Sequence, residues 1–327
     1  MNERSFSGYA RQRIFVTPRI RFEAGLRGDF YWFAADDRLP PQGEDPNFDP
    51  VPIGGSTTAG IVSPKANLVL TPTAETDVFL NFGSGFHSND ARNAVLARDD
   101  DEFSPLVRAI GWEVGSRTKG LGGLELAASF WFLDLDSELV FSGDAGNQET
   151  GAGGSVEPSG RTRRYGLDFE ARYRITDWLF SDFDLSYARA RFRNGDAIAL
   201  APWLLINGGL TAEFRGLSVA LRSRFLADRP AAEDRSLVAE GYEIFDLIAK
   251  YRWRSVEASL ALSNFTDTKW QEATFGETSC VLGEVGVAKG CAARPGKQTA
   301  HPEDPANDIH FTPGNPFGIR GGLAIFF

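Results

Sequence analysis

Three histidines offer the most obvious chemistry in this sequence of 327 residues. They are His87, His301 and His310. The carboxylates nearest the last two are Glu303, Asp304 and Asp308. Imidazole and carboxylate groups together bind several transition metals, but the spacing here matches no metal motif. We therefore expect no metal site, and we expect His87 to be a solvated residue at the top of a strand that Gly83 and Gly85 relax.

Three carboxylates at alternate positions, Asp134, Asp136 and Glu138, resemble a catalytic pair at first sight. Their period of two is that of a strand, so a hydrophilic stripe along one strand is the better interpretation. The sequence contains no G-x-S-x-G elbow, P-loop or Cys-His constellation. The sequence thus predicts no enzyme, no catalytic residue and no cofactor.

The two cysteines, Cys280 and Cys291, lie close together in a Gly-rich stretch without a strand pattern. Oxidising compartments preserve short disulfides in loops, so we predict a disulfide in an exported loop. Two unpaired thiols are the alternative.

The formal charge of −10 argues against a nucleic-acid partner. Acidic runs occupy segments that read as loops, and arginines are threaded through the predicted strands. The runs are Asp36-Asp37, Glu44-Asp45 and Asp99 to Glu102. They are solvated loop surface or, alternatively, they attract a cation or a metal chelate. Apolar residues never run for about eighteen positions, which excludes a helical membrane span.

Several segments alternate with period two over twelve residues or more. One places its apolar side chains on a single face, namely Tyr165, Leu167, Phe169, Ala171, Tyr173 and Ile175. The opposite face carries Arg164, Asp168, Glu170, Arg172 and Arg174. The same division recurs in residues 19–32 and 245–253. Strands of about nine to eleven residues cross a bilayer at a tilt, whereas strands of soluble sheets are shorter, so this pattern is typical of a transmembrane β-barrel.

Short and long connections between strands alternate along the chain. Short links fall near residues 17–18, 71–74, 119–122, 176–177, 215–216 and 254–255. Long polar links run over 34–59, 88–106, 143–159, 194–201, 229–238 and 268–308. Outer-membrane barrels have this asymmetry, with tight periplasmic turns and long extracellular loops. The sequence therefore predicts an all-β, antiparallel, up-and-down transmembrane barrel with about thirteen strands, an odd number that suggests a partial barrel.

The chain ends on an amphipathic strand in which Ile319, Leu323, Ile325 and Phe327 share one face. An aromatic final residue on such a strand resembles the signal recognised by the barrel-assembly machinery. We predict that Phe327 is this signal. The first four residues lead into a strand without an apolar signal-peptide region, so we also predict a truncation.

One segment resembles the barrels of TonB-dependent receptors. It runs from Phe79 to Arg92, and its motif residues are Gly83, Gly85, Phe86, His87, Ser88, Asn89 and Asp90. Further similarity lies in Trp131–Val140, in Arg163-Arg164-Tyr165-Gly166, and in Asn264-Phe265-Thr266-Asp267 near the family's usual N-L-F-D.

The resemblance implies a barrel of about twenty-two strands, of which residues 1–327 would be the C-terminal portion without the plug domain and the N-terminal strands. It implies energy-coupled uptake of a scarce ligand, such as a ferric siderophore or another metal complex, at the bacterial outer membrane. The implied partners are outer-membrane lipid, the barrel-assembly machinery, the small-molecule or metal-chelate ligand, and the TonB energy complex through the missing plug. A passive porin or a fatty-acid-type channel is the alternative, and the ligand-binding residues are not predicted.

Overall fold

The computed structural model describes residues 1–36, 54–89, 91–96, 104–142, 155–278 and 307–327. Nearly all of its regular structure is strand. The elements in chain order are β1 (Asn2–Thr17), β2 (Ile20–Ala35), β3 (Gly55–Thr73), β4 (Thr76–Ser88), α1 (Ala91–Leu96), β5 (Leu106–Leu121), β6 (Leu124–Leu135), β7 (Glu138–Ser142), β8 (Ser155–Ser159), β9 (Thr162–Arg174), β10 (Leu179–Phe192), β11 (Leu204–Phe214), β12 (Leu217–Leu226), β13 (Arg229–Pro230), β14 (Val238–Ala239), β15 (Tyr242–Trp253), β16 (Val256–Ser263), β17 (Gln271–Thr278), β18 (Asn307–Pro313) and β19 (Gly318–Ile325).

Thirteen of these strands form one sheet, in the order β1-β2-β3-β4-β5-β6-β9-β10-β11-β12-β15-β16-β19. Each strand pairs with the next long strand along the chain, which is the up-and-down connectivity that the alternating links predicted. The prediction of about thirteen antiparallel strands is confirmed. Within the described part of the chain, no helix has the length and apolar character needed to cross a membrane.

Six further strands form three separate pairs inside the long links, and the sequence did not predict them. They are β7 with β8, β13 with β14, and β17 with β18. The third pair occupies part of the long polar link predicted from 268 to 308, and Thr278 pairs with Asn307 in its register. Backbone polar groups in a link still need hydrogen-bond partners, and local pairing satisfies them without a hydrophobic pattern.

The short links are tight turns, and neighbouring turns are hydrogen-bonded to each other. The amide of Arg174 donates to Gly123 O at 2.9 Å, and the amide of Arg252 donates to Gly216 O at 2.8 Å. The amide of Phe326 donates to Ser255 O at 2.7 Å. Hydrogen bonds therefore join successive hairpins at their turn ends as well as along the strands.

The alternation predicted from the sequence places the large apolar side chains on one exposed face of the sheet. In β9 the exposed members are Tyr165, Leu167 and Tyr173, and in β19 they are Ile319, Leu323 and Ile325. A soluble protein would bury such residues, whereas a barrel presents them to lipid. The polar face of the same strands is the lumen-facing side.

The chain divides into two compact units, which are described separately. The first comprises Met1–Val114, Trp131–Leu139 and Pro158–Thr162. Its buried apolar cluster lies where α1 covers β2 and β3, and Phe33 has no exposed surface there. The second comprises Gly115–Phe130, Val140–Glu157 and Arg163–Phe327, and a smaller apolar pair, Phe192 and Ile198, follows the end of β10.

The predicted stripe of three carboxylates on one strand is wrong. β6 ends at Leu135, so Asp134 lies on that strand, Asp136 lies in a bend, and Glu138 begins β7. The Asp136 carboxylate pairs with Arg161 Nε at 3.6 Å, and both side chains are more than half exposed. The change of strand breaks the period of two that the sequence alone suggested.

Candidate functional site at the extracellular end of the lumen

A charged contact crosses three strands on the lumen face of the second unit. Asp182, Gly209 and Arg222 are direct partners across β10, β11 and β12. Arg222 Nη1 donates to Asp182 Oδ1 at 2.5 Å, above the central strand. A methyl group at Gly209 would lie 2.6 Å from Arg222 Nη1 and 2.7 Å from Leu221 O. The glycine therefore provides the gap through which the guanidinium reaches the carboxylate.

The same face forms a cavity of about 580 Å³ next to the short turns. Its charged lining residues are Glu125, Arg172, Arg174, Asp182, Asp184 and Arg222. Cations and anions are equal in number among them, so this part of the lumen is polar but carries little net charge. Asp168 also lies on the lumen face of β9, and Ser186 Oγ donates to its carboxylate at 2.7 Å.

The lumen face of the first unit contains a buried carboxylate. The Asp29 side chain is 1% exposed, and Arg27 donates to it through Nε at 2.9 and 3.0 Å and through Nη2 at 2.8 Å. Elsewhere in this unit, Asn81 Nδ2 donates to Glu113 Oε2 at 3.0 Å. Each of these carboxylates thus accepts a hydrogen bond, Asp29 from its own strand and Glu113, Asp168 and Asp182 from other strands.

Aromatic rings and a guanidinium meet at the extracellular end of the second unit. We call this group, formed by Arg224, Tyr242 and Trp270, the Trp270 cluster. The rings of Tyr242 and Trp270 are 4.9 Å apart between centroids, with a tilt of 51°. Arg224 Cζ lies 5.2 Å from the Trp270 ring centroid and 5.8 Å from that of Tyr242. These distances are those of cation–π contacts.

The turn that follows β16 holds Trp270 in place. Asn264 is 3% exposed and adopts a left-handed φ of 46°. Its Nδ2 donates to Thr268 O at 2.9 Å and to Asn315 O at 3.1 Å, and its Oδ1 accepts the Thr268 amide at 3.0 Å. Trp270 Nε1 donates to the same Asn315 O at 3.1 Å. The Asn264-Phe265-Thr266-Asp267 motif therefore positions the aromatic ring of the cluster.

Arg229, beside this cluster in sequence and on β13, is a buried cation. It is 7% exposed and donates through Nη2 to Thr274 Oγ1, which is also buried. Burial lowers the pKa of its guanidinium, although arginine stays charged at physiological pH. Its Nη1 has no hydrogen-bond partner among the described residues.

The family-motif residues end β4 and lead to α1, which begins at Ala91. Ser84 and Asn89 are buried, and Asn89 Nδ2 donates to Ser104 O at 2.7 Å while its amide donates to Pro105 O at 2.9 Å. The expectation that His87 is solvated is wrong, because the side chain is partly buried and its Nε2 is shielded. Asp90 lies outside the described residues. The motif therefore forms the connection between β4 and α1.

Five other residues singled out from the sequence lie outside the described residues, namely Cys280, Cys291, His301, Glu303 and Asp304. The predicted disulfide between the two cysteines therefore stays a prediction.

His310 is partly buried, and its ring stacks on Phe275 with centroids 5.3 Å apart and an interplanar angle of 13°. Phe327 follows β19, which pairs with β16, and it is fully exposed. Its role as the assembly signal remains a prediction.

The Trp270 cluster and Arg229 were missed by sequence reasoning. Arg224 and Tyr242 belong to different strands, and their contact depends on the register that joins Arg224 to Ile244. Trp270 lies in a link without periodicity. The only part of the sequence that could have indicated the cluster was the Asn264 motif. Its asparagine favours the left-handed turn that positions the following residues.

Thirteen up-and-down antiparallel strands, with apolar side chains exposed on one face and paired charges on the other, define an outer-membrane β-barrel. A family model for the TonB-dependent receptor-like β-barrel matches residues 1–265. The chain therefore belongs to the TonB-dependent receptor β-barrel family. Proteins of this family lie in the bacterial outer membrane, which is the location of this chain. No curated protein sequence matches it.

Solved structures with the same fold support this classification. The ferric citrate transporter FecA in its unliganded form has a TM-score of 0.71 and 14% identity, covering 99% of this chain and 45% of that one. The copper transporter OprC has a TM-score of 0.69 and 19% identity, covering 83% and 43%. The ferric yersiniabactin uptake receptor FyuA from Yersinia pestis has a TM-score of 0.68 and 12% identity, covering 99% and 46%. The chain thus spans less than half the length of these proteins.

Proposed function

We propose that this chain forms part of a receptor that imports a scarce ligand, such as a ferric siderophore or another metal complex, with energy supplied by the TonB complex. Membership of the family carries this proposal. FecA, OprC and FyuA are named as a ferric citrate transporter, a copper transporter and a ferric yersiniabactin uptake receptor, which supports the ligand class.

We propose that the Trp270 cluster contributes to ligand capture at the extracellular end. Metal chelates commonly present anionic oxygen atoms and flat conjugated groups. The exposed guanidinium of Arg224 suits the oxygens, and the rings of Tyr242 and Trp270 suit the flat groups. A rigid cluster loses little conformational entropy on binding, and the Asn264 turn supplies that rigidity.

Binding by the full-length receptor tests this assignment. Trp270→Ala removes the shared ring contact, and we expect roughly tenfold weaker binding of the chelate that supports growth under iron or copper limitation. Trp253→Ala is the matched control, because Trp253 lies at the turn end of β15 and is exposed on the other face. Equal affinity of the Trp270→Ala variant and the unchanged receptor would remove the cluster from the binding site.

Dependence on energy tests the transport class separately. Uptake by cells carrying the full-length receptor is expected to stop when the proton-motive force is collapsed. Uptake that continues and rises linearly with ligand concentration would instead identify a passive channel.

We further propose that the chain is the C-terminal portion of its barrel, and that the plug and the N-terminal strands are encoded upstream. The share of the solved structures that it covers and its thirteen strands support this organisation. The plug would then contact the TonB complex, and Phe327 would direct assembly. The genomic DNA before Met1 is expected to encode a plug and further strands in some frame, whereas a stop codon followed by a promoter there would contradict the truncation.

A further inference from the structure

Arginines also occupy the lipid-facing side of the sheet, at the extracellular ends of two strands. Arg189 and Arg191 continue the face of β10 that carries Leu185 and Tyr187. Arg163 begins the face of β9 that carries the exposed apolar residues. We call Arg163, Arg189 and Arg191 the outer basic patch. Because side chains alternate in a strand, this patch cannot face the lumen.

The aromatic residues of these strands fix the level of the patch. Tyr165 and Tyr173 are eight residues apart on the same face of β9. That separation is about 26 Å along the strand and, at a tilt of about 40°, roughly 20 Å along the membrane normal. It is close to the apolar band of about 25 Å between two aromatic girdles. Tyr187 lies edge-on to Trp203 at 6.3 Å, in the upper girdle. Arg189 follows two residues later, roughly 5 Å higher, at the level of lipid headgroups.

The patch borders a concave site. A cavity of about 230 Å³ is lined by Arg163, Tyr165, Arg189, Arg191, Phe192 and Arg193. Four of the six lining residues are arginines, and none of the described lining residues is a carboxylate. Arginines therefore dominate the lining of this site, unlike the lumen surface of the same unit, where cations and anions are equal in number.

One guanidinium of the patch is oriented before any ligand arrives. Arg189 Nε donates to Tyr187 Oη at 2.9 Å, and its Cζ lies 6.0 Å from the Tyr187 ring centroid. The contact uses Nε, so both terminal nitrogens remain for another acceptor. Guanidinium groups bind phosphate oxygens in pairs of parallel hydrogen bonds, which an oriented arginine forms at a lower entropic cost.

We propose that the outer basic patch binds the phosphate-bearing headgroup of a lipid in the outer leaflet of the outer membrane. The lipid's acyl chains would lie on the apolar face below, along Leu167 and Leu185. The upper aromatic rings would lie at the boundary between chains and headgroup. This site is on the opposite side of the sheet from the Trp270 cluster, so it does not depend on the transported ligand.

Native mass spectrometry of the detergent-solubilised full-length receptor tests the proposal with bisphosphorylated lipid A as the probe. The double variant Arg189→Gln/Arg191→Gln is expected to weaken lipid A binding at least about tenfold, because two charged donors are lost. The control, Arg215→Gln/Arg254→Gln, makes the same charge change at two short turns, where each arginine stacks on an aromatic ring. It is expected to bind lipid A as the unchanged receptor does.

Two further probes separate a lipid site from other sources of binding. Dephosphorylated lipid A should bind the unchanged receptor as weakly as lipid A binds the double variant. Inorganic phosphate at the same concentration should leave lipid A bound. Undiminished lipid A binding by the double variant, equal binding of dephosphorylated lipid A, or displacement by inorganic phosphate would each overturn the proposal. Unchanged heat-modifiable mobility of the variants in gels confirms that their barrels are folded.

Discussion

Replacing Gly209 with alanine tests whether the lumen contact depends on a gap in the central strand. The new methyl group would lie 2.6 Å from Arg222 Nη1 and 2.7 Å from Leu221 O. Ordinary van der Waals contacts of such a carbon begin near 3.4 Å, so the arginine and the backbone of β12 must both move. Overpacking of this kind costs about 1–3 kcal/mol.

Loss of the charged hydrogen bond adds to that cost. The Asp182 and Arg222 side chains are 30% and 40% exposed, so water weakens the pair, and we assign it about 1 kcal/mol. Gly209→Ala is therefore expected to lower the free energy of unfolding by about 2–4 kcal/mol.

Urea unfolding of the full-length receptor in phospholipid vesicles, followed by tryptophan fluorescence, measures this difference from the shift in midpoint. Gly28→Ala is the matched control in another strand, because nothing lies within 4 Å of its added methyl group. The double variant Gly209→Ala/Arg222→Ala removes the side-chain clash but keeps the backbone clash, so it should restore only part of the stability. A Gly209→Ala receptor as stable as the Gly28→Ala receptor would refute the reasoning.

Three further substitutions test contacts elsewhere. Arg27→Met leaves the buried Asp29 carboxylate without its three hydrogen bonds and should destabilise the barrel, seen as a lower urea midpoint. Asn264→Ala removes three hydrogen bonds at a left-handed residue and should raise the rate of amide hydrogen exchange in the turn after β16. Burial, and then the charge of Asp196, raise the pKa of Glu233, whose carbonyl accepts the Ala197 amide. This loop contact should be strongest below the ordinary glutamate pKa and weaken as the pH rises through the raised value. Glu233→Gln should abolish the pH dependence of the Ala197 protection factor, which is the exchange rate corrected for the intrinsic effect of pH.

Matched variants show what would contradict these expectations. Arg19→Met removes an exposed turn arginine and should leave the urea midpoint unchanged, so an equal loss in both arginine variants would exclude a specific role for the Arg27–Asp29 pair. Asn264→Asp keeps the acceptor and tolerates the left-handed turn, and it should exchange more slowly than the alanine variant. Glu240→Gln should keep the pH dependence that Glu233→Gln removes.

The sheet was predictable because the lipid and the lumen impose a strict alternation on every long strand. Residues 164–175 revealed both faces of β9 and the length of the crossing. The tight turns were predictable for a related reason, since polar and Gly-containing pairs such as Arg215-Gly216 interrupt that alternation. The structure confirms these positions and adds positive φ values of 46° and 85° at the two residues of that turn.

The contents of the long links were not predictable in the same way. α1 has six residues, too few for a helical period to stand out, and it is held by packing of Ala94 and Val95 against distant strands. The backbone bends at Asp136, so β6 ends before it and β7 begins after it. The alternation of residue types does not reveal this bend. Trp270 joins the candidate site through contacts with β12 and β15, so only the register reveals it.

The hydrogen bonds between neighbouring turns have a mechanical consequence. Gly123 joins Arg174, Gly216 joins Arg252, and Ser255 joins Phe326, so these strands are linked to their neighbours at the turn end of the sheet. Load applied to one turn from the periplasm passes sideways into the next as shear. We therefore expect the rim to resist pulling as a cross-linked edge, and a strand to yield only after its lateral bonds at the turn have broken.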